Sequence, residues 1–104
     1  MKVIKGKGLG RKLGFPTINF KMNGEKGVFL VKVNLDEKEY FGAMHRDKIA
    51  EIFIFNYKGN AYGKEVKVEV LEKIRDSWKF DTLEGLKRQI GLDVEMARER
   101  VDLM

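Results

Sequence analysis

The chain has no cysteine, one proline and one histidine among its 104 residues. Without cysteine, disulfide bonds, thiolate metal sites and thiol catalysis are excluded, and a reducing, cytoplasmic setting is expected. No stretch approaches the ~18 consecutive apolar residues of a membrane span, and the N-terminus has no signal-peptide core. We therefore expect a soluble, unexported protein without a membrane partner. The lone His45 has no second histidine or cysteine with which to build a zinc site, and we expect it to lie in a loop.

Basic residues outnumber acidic ones by 21 to 16, but a cluster of one sign occurs only near the N-terminus. Through most of the chain lysine and glutamate alternate, which is typical of a solvated surface. Residues 1–12 contain five cations and no acid. This cluster favours an anionic partner such as a nucleotide, a nucleic acid or a membrane surface. At this length we expect one domain covering residues 1–104, acting as a monomer.

Residues 6–14 are rich in glycine and in positive charge. The stretch holds four glycines and three cations, namely Gly6, Gly8, Gly10, Gly14, Lys7, Arg11 and Lys12. So many glycines are entropically costly for a simple connection. The stretch matches neither a Walker A motif nor Gly-x-Gly-x-x-Gly. It therefore predicts a phosphate site made of loop N–H groups and nearby cations. A flexible connection between two strands is the alternative.

A hydroxyl and an amide follow this stretch at alternate positions. Pro16 fixes its own φ and lacks a donor, so it belongs at the start or edge of a strand. Thr17 and Asn19 then point to one face of that strand. Neutral oxygens suit Mg²⁺, which keeps several waters and accepts substrate phosphates as further ligands. Ordinary solvent-facing strand residues are the alternative interpretation.

Glu51 opens an otherwise apolar run, Ile52-Phe53-Ile54-Phe55. A carboxylate beside such a run could be partly desolvated, as a general base requires. A solvated glutamate at the edge of a strand is the alternative.

Arg75, Trp78 and Phe80 place one planar cation and two aromatic rings within six residues. Such a group could stack on a flat ligand. Alternatively, the two rings close the core where a helix begins, with Phe80 packing on that helix as a hydrophobic staple.

The hydrophobic pattern predicts six strands followed by one helix. The strands are expected near residues 2–5, 15–21, 28–35, 40–41, 49–57 and 65–71, with a hairpin turn at Asn23-Gly24 and another turn at Asp36-Glu37. The helix carries an apolar stripe of Leu83, Leu86, Ile90, Val94, Ala97 and Val101. Asp81 and Glu84 form a capping-box pattern at its start. Together these elements suggest a small, mainly β, antiparallel barrel with the helix packed outside it or across one end.

Taken in order, these motifs resemble riboflavin kinase of the bacterial and eukaryotic type. The family's Leu-Gly-Phe-Pro-Thr-x-Asn signature stands here at residues 13–19, after the glycine-rich basic loop. Further matches are Gly27-Val28-Phe29, the Glu51 strand with Asn56, Tyr62-Gly63, Ile74-Arg75, Lys79-Phe80-Asp81, Leu86, Gln89-Ile90 and Asp93. The likeness covers nearly the whole chain, and its most specific part is the Pro-Thr-x-Asn element.

The resemblance implies a six-stranded antiparallel Greek-key barrel with a C-terminal α-helix, and ATP-dependent phosphorylation of riboflavin to FMN. It implies that Thr17 and Asn19 hold Mg²⁺ with the nucleotide phosphates, and that Glu51 is the catalytic base. It also implies a phosphate loop and two groups of ligand neighbours. The loop comprises Gly6, Gly8, Gly10, Arg11 and Lys12, the residues near the nucleotide are Ile54, Asn56 and Tyr62, and those near the isoalloxazine are Arg75, Trp78 and Phe80.

The sequence departs from the family at three places. Family members carry Asn-Ile-Gly-x-Arg-Pro-Thr in a flap before the glutamate strand, whereas residues 42–50 here are short and lack proline. The histidine of the family's Glu-x-His strand is Phe53. The nucleotidyltransferase domain of the bifunctional bacterial enzymes is absent, which we interpret as a free-standing or excised module.

Two other functions remain open on the sequence. The shortened flap also suits a non-catalytic module that binds flavin or flavin nucleotide. A nucleic-acid-binding barrel would explain the excess of positive charge. Its stacking aromatics would lie on one strand face, which this sequence does not show, so no nucleic-acid partner is expected.

Overall fold

The computed structural model describes residues 1–6 and 8–104, so Lys7, predicted as a phosphate-loop cation, lies outside the described residues. Five strands form one antiparallel sheet in the order β1-β4-β3-β2-β5, and the chain ends in a long helix. The elements are α1 (Leu9–Lys12), β1 (Ile18–Phe20), β2 (Gly27–Leu35), β3 (Lys38–Arg46), β4 (Ala50–Ile54), β5 (Lys67–Arg75) and α2 (Leu83–Asp102). The mainly β fold with a C-terminal helix is therefore confirmed.

The predicted closed barrel is wrong, because the described residues form an open sheet of five strands. The predicted sixth strand and Greek-key connection are not confirmed. Residues 2–5, expected as a strand, make two isolated bridges, one from Lys2 to Glu65 and one from Ile4 to Asn19. Successive residues of this short segment bond to opposite sides: Val3 N–H donates to the Lys64 carbonyl, just ahead of β5, and Ile4 N–H donates to the Asn19 carbonyl of β1. Four residues divided between two edges are too few for a ladder on either side. The chain then leaves the sheet toward α1.

The N-terminal loop is also more ordered than predicted, since Leu9–Lys12 forms a short helical turn before β1. β1 itself begins at Ile18 rather than at residue 15, and it ends at Phe20. Pro16 lies just ahead of the strand, where its missing N–H removes no ladder bond.

The Asn23-Gly24 signal does not form the predicted hairpin, because β1 pairs with β4 whereas β2 pairs with β3 and β5. The connection wraps around the buried Arg46 instead. The Nε–H of Arg46 donates to the Glu25 carbonyl at 2.7 Å, and Gly24 lies against the Arg46 guanidinium. The Asp36-Glu37 turn is confirmed, with a positive φ at both residues, as a tight turn between twisted strands requires.

The two faces of the sheet pack against different layers. One face carries the larger core, whose biggest fully buried side chains include Phe20, Leu35, Met44 and Ile52. On the other face, Leu30, Ala43 and Phe55 pack against Val94 and Ala97 of α2. Helix α2 covers only part of this second face of the sheet. The candidate site lies on the same face.

Helix α2 starts one residue later than its sequence signal. Its N-cap is Thr82, whose Oγ1 accepts from the Gly85 N–H at 3.0 Å, rather than Asp81. The position that would complete a capping box is then Gly85, which has no side chain to return the bond. The apolar stripe is confirmed from Leu86 onward, whereas Leu83 is largely exposed. In the part of the chain that the structure describes, no helix is both long enough and apolar enough to cross a bilayer.

Candidate active site

A straight row of residues crosses all five strands on the face covered by α2. Pairing places Asn19 opposite Glu51, Glu51 opposite His45, His45 opposite Val28 and Val28 opposite Arg75. Directly opposed residues in antiparallel strands point to the same face, with Cβ atoms about 5 Å apart. The row therefore brings an amide, a carboxylate, an imidazole and a guanidinium together from positions scattered along the chain.

A cavity of about 250 Å³ lies between this row and the first half of α2. The predicted base Glu51 and the predicted flavin neighbours Arg75, Trp78 and Phe80 all line it. Most of the remaining wall is apolar, formed by Phe15, Val28, Ala43, Met44, Phe53, Leu86, Ile90 and Val94. We call this the aromatic cavity. It can enclose a flat, mostly apolar group and present the Glu51 carboxylate to it.

A second cavity of about 530 Å³ adjoins the first and is lined by the N-terminal segment. We call it the loop cavity. Most of the predicted nucleotide neighbours line it, namely Gly6, Gly8, Arg11, Thr17, Asn19, Ile54 and Tyr62. Lys5 also lines it, with its ammonium 5.8 Å from the centre of the Tyr62 ring. Cations, backbone N–H groups and an exposed aromatic ring suit an anionic ligand that also carries a flat group.

Thr17 and Phe53 line both cavities, so they form the wall between them. Thr17 is therefore positioned to contact ligands on either side. Phe53 packs edge-on against Phe15 and Phe55, with ring centres 5.6 and 5.9 Å apart respectively. Where the family carries histidine, this chain thus uses an aromatic ring to support the dividing wall.

Two glycines of the loop lie against the predicted metal ligands. A Cβ atom at Gly6 would overlap the side-chain amide of Asn19, and one at Gly10 would come within 2.5 Å of the Phe15 carbonyl oxygen and 3.2 Å of the Thr17 methyl group. Gly8 differs, because its requirement is conformational, with φ of +72°. The glycines thus allow the N-terminal segment to approach Asn19 and Thr17 closely.

Two predicted site residues lie away from these cavities. Lys12 is exposed at the end of α1 and is absent from the lining of both. Asn56 has a positive φ of 62° and lines a separate groove with Tyr40, Phe55 and Arg98. The roles given to these two by resemblance find no support in their placement.

Arg75 is held by an ion pair that sequence reasoning did not anticipate. Its Nε and Nη2 each donate to a carboxylate oxygen of Asp93 at 2.8 Å, and both side chains are largely buried. Gln89, one turn earlier on α2, donates to the same carboxylate at 3.0 Å. The guanidinium also lies 4.6 Å from the Trp78 ring centre. Arg75 therefore joins α2 to Trp78.

His45 was expected in a loop but lies in β3 and lines the aromatic cavity. Its Nε2 lies 3.0 Å from Oγ of Ser77, in a partly buried hydrogen bond whose direction depends on the ring tautomer. Only a weak sequence signal marks this position, because the residues from Tyr40 to Met44 do not alternate between apolar and polar types. The strand predicted at residues 40–41 in fact extends from Lys38 to Arg46.

The segment that corresponds to the family's flap is mostly strand. Residues 42–46 complete β3, residue 50 begins β4, and only Asp47, Lys48 and Ile49 form the turn. None of these three lines the aromatic cavity. The family's covering loop is therefore reduced here to a tight connection.

The connection from β5 to α2, residues 76–82, is anchored where it leaves the strand. The Asp76 carbonyl accepts from Nη1 of Arg75 at 2.8 Å, and the Asp76 carboxylate forms an ion pair with Lys73. The hydrogen bond from Lys73 lowers the pKa of the Asp76 carboxyl below its ordinary value. The pKa of Lys73 is correspondingly raised, first by Asp76 and then by Glu25.

The predicted metal site relies on neutral oxygen donors. Within residues 1–6 and 8–104, no three His, Cys, Asp or Glu side chains gather in a way that could hold a metal. Asn19 and Thr17 offer an amide oxygen and a hydroxyl at the loop cavity, and the Asn19 side chain is buried. Such a donor set fits Mg²⁺ when phosphate oxygens supply the remaining charge.

Comparison with known proteins identifies relatives along nearly the whole chain. The family model described as Flavokinase: Riboflavin kinase matches residues 1–101. An RNA-binding riboflavin kinase, RibR, from Bacillus subtilis is 36% identical over 98% of this chain and 50% of its own length. A bifunctional riboflavin kinase/FMN adenylyltransferase from Haemophilus influenzae is 39% identical over 93% of this chain and 36% of its own length. The chain thus spans about half or less of these relatives.

A solved structure shares the fold. A crystal structure described as a macrolide-efflux protein from Streptococcus pneumoniae superposes with a TM-score of 0.84 and 29% identity. The match covers 93% of this chain and 36% of that one. The sheet and helix described above therefore recur as one part of a longer protein.

Proposed function

Because this chain belongs to the riboflavin kinase family, we propose that it transfers the γ-phosphoryl group of ATP to the 5′-hydroxyl of riboflavin, giving FMN and ADP. The observation that carries the proposal is the pair of adjoining cavities that share Thr17, with Glu51 facing the aromatic one. A kinase for a small acceptor needs two ligand sites that meet at the transferred group. These two cavities provide that arrangement.

The aromatic cavity is the proposed riboflavin site. Its aromatic and aliphatic wall suits the isoalloxazine, with Trp78 and Phe80 at its rim and Phe15 and Phe53 inside. Arg75 is engaged by Asp93, so its contribution is to hold Trp78 in place rather than to stack freely on the ligand. The ribityl chain then extends toward Thr17 and Glu51.

The loop cavity is the proposed ATP site. Gly6, Gly8 and Arg11 line it and would contact the phosphates, and Tyr62 would lie near the base. Thr17 and Asn19 would hold Mg²⁺ together with phosphate oxygens. Bound there, the cation would neutralise charge on the phosphates.

Glu51 is the proposed base. It accepts the proton of the riboflavin 5′-hydroxyl as that oxygen bonds to the γ-phosphorus, and the bond from the γ-phosphorus to the bridging oxygen of ADP breaks. Such a base contributes about 10²–10⁴ in rate. Positioning and charge stabilisation supply most of the remainder in phosphoryl transfer.

One observation favours a second candidate, a module that binds flavin or flavin nucleotide without turnover. The three-residue β3–β4 turn leaves the acceptor site without the family's flap. Against it, Thr17, Asn19 and Glu51 are all retained and lie around the same two cavities.

Incubation of the protein with riboflavin, MgCl₂ and a panel of nucleoside triphosphates, followed by chromatography, tests the proposal. FMN should form with ATP, and EDTA should abolish it. Quenching of riboflavin fluorescence without FMN under every nucleotide and metal condition would overturn the proposal in favour of the binding module.

We further propose that the chain acts as a cytoplasmic monomer without a nucleic-acid partner. The Bacillus subtilis relative is named as RNA-binding, so this expectation needs its own test. RNA binding whose logarithm falls steeply and linearly with the logarithm of salt concentration would contradict it.

A further inference from the structure

We propose that His45 is a positioning residue that holds the β5–α2 connection over the riboflavin site through its hydrogen bond to Ser77. This inference rests on the proposed function, because it assigns the aromatic cavity to riboflavin. No motif of the sequence singled out either residue. Their pairing arises only where β3 meets the connection, 32 positions further along the chain.

His45 occupies a position from which it can act on the bound flavin. It is the direct partner of Glu51 on one side and of Val28 on the other, and all three line the aromatic cavity. From the central strand β3, its ring reaches Ser77 in the β5–α2 connection, with 3.0 Å between Nε2 and Oγ. The imidazole thus links the strand beside the proposed base to a segment outside the sheet.

Ser77 is adjacent to Trp78, so the hydrogen bond acts on the aromatic rim. Trp78 is 54% exposed and therefore gains little from burial. Its placement therefore depends on a few specific contacts. One such contact is to the Trp78 ring and another is to the residue before it. Arg75, fixed by Asp93, stacks on the ring, and Ser77 ties the backbone to β3. Both contacts come from the sheet, one from Arg75 of β5, which Asp93 of α2 braces, and the other from His45 of β3.

The hydrogen bond between His45 and Ser77 matters because the short β3–β4 turn does not cover the cavity. With Asp47, Lys48 and Ile49 outside the cavity lining, that turn supplies no cover. The β5–α2 connection does supply it, since Trp78 and Phe80 both line the cavity. If the connection is already ordered over the cavity before riboflavin binds, less of the binding free energy is spent on ordering the connection.

The test uses Ser77→Ala, His45→Ala, the double variant and His45→Gln, whose amide can still bond to Ser77. Trp78 is the only tryptophan, so its emission and its quenching by acrylamide report the connection directly in the ligand-free protein. Riboflavin affinity is measured by flavin fluorescence without ATP. The KM values for riboflavin and ATP are measured separately, and circular dichroism checks that each variant folds.

We expect Ser77→Ala and His45→Ala each to increase acrylamide quenching of Trp78 and to weaken riboflavin binding about fivefold, the effect of losing about 1 kcal/mol. The double variant should be no worse than either single one, because one hydrogen bond is lost in all three. The KM for ATP should stay unchanged. His45→Gln should recover part of the riboflavin affinity, which a purely structural role of the imidazole would not predict.

Wild-type quenching and riboflavin affinity in a folded Ser77→Ala variant would overturn the proposal, as would additive losses in the double variant. The quenching measurement needs neither ligand nor turnover. If the wild type forms no FMN while Ser77→Ala still increases quenching and weakens riboflavin binding, the kinase proposal fails and this one stands.

Discussion

Asn19 and Glu51 are direct partners across the antiparallel pair of β1 and β4. The predicted metal ligand and the predicted base therefore start from neighbouring positions on one face of the sheet, about 5 Å apart at Cβ. Asn19 then lines the loop cavity and Glu51 the aromatic cavity. This one register places the two halves of the proposed reaction on either side of the wall formed by Thr17 and Phe53.

Replacing Glu51 by glutamine should lower kcat for FMN formation by about 10²–10⁴, because the amide has no free carboxylate to accept the hydroxyl proton. Riboflavin binding should persist, since the shape of the cavity is kept. Steady-state assays and flavin fluorescence measure the two effects. Glu69→Gln, an exposed position on β5, is the matched control. Equal activity in both variants would remove Glu51 from the mechanism.

Thr17→Val should abolish FMN formation, whereas Thr17→Ser should retain it. Valine preserves the shape of the wall between the cavities but loses the hydroxyl proposed to bind the cation, and serine does the reverse. The dependence of the rate on MgCl₂ concentration measures the effect. The MgCl₂ concentration that gives half the maximal rate should be at most modestly higher for the serine variant than for wild type. If valine proves as active as serine, the hydroxyl does not bind the metal.

Gly6→Ala should impair catalysis more than Gly8→Ala does. A methyl group at Gly6 overlaps the Asn19 amide, whereas at Gly8 no described atom outside its chain neighbours lies within 4 Å and the cost is backbone strain at positive φ. That strain is worth about 1–2 kcal/mol. We expect Gly8→Ala to lower the melting temperature and Gly6→Ala to raise the KM for ATP. The opposite ranking in KM would show that Asn19 is not engaged by the nucleotide or its metal.

Asp93→Asn should lower the free energy of unfolding by about 3–5 kcal/mol, because it leaves the largely buried Arg75 without its charge partner. It should also shift the Trp78 emission, since Arg75 stacks on that ring. Urea denaturation followed by circular dichroism gives the free energy. Glu95→Gln, exposed on the same helix, should leave both quantities unchanged. A stability loss below about 1 kcal/mol for Asp93→Asn would mean that water solvates the Arg75 guanidinium in place of the Asp93 carboxylate.

The motif order of the chain was enough to predict several of the residues that line the two cavities. Thr17, Asn19, Glu51 and the aromatic pair Trp78 and Phe80 all line one cavity or both, and the apolar stripe from Leu86 onward packs as its period of three and four implies. Local patterns of this kind survive folding because each depends on the face of a single element. The predicted roles of these residues stay predictions until the assays above are made.

What the sequence could not determine is which separate elements meet. The Asn23-Gly24 hairpin and the closed barrel were wrong, and the sixth strand was not confirmed, because each depends on which strands pair. The pattern within a strand does not specify its partner. The Arg75–Asp93 pair and the His45–Ser77 bond join residues 18 and 32 positions apart. The sequence by itself determined which side chains are candidates for the chemistry. Only the tertiary structure decided which of them are neighbours, because strand order and register bring distant residues within hydrogen-bonding distance.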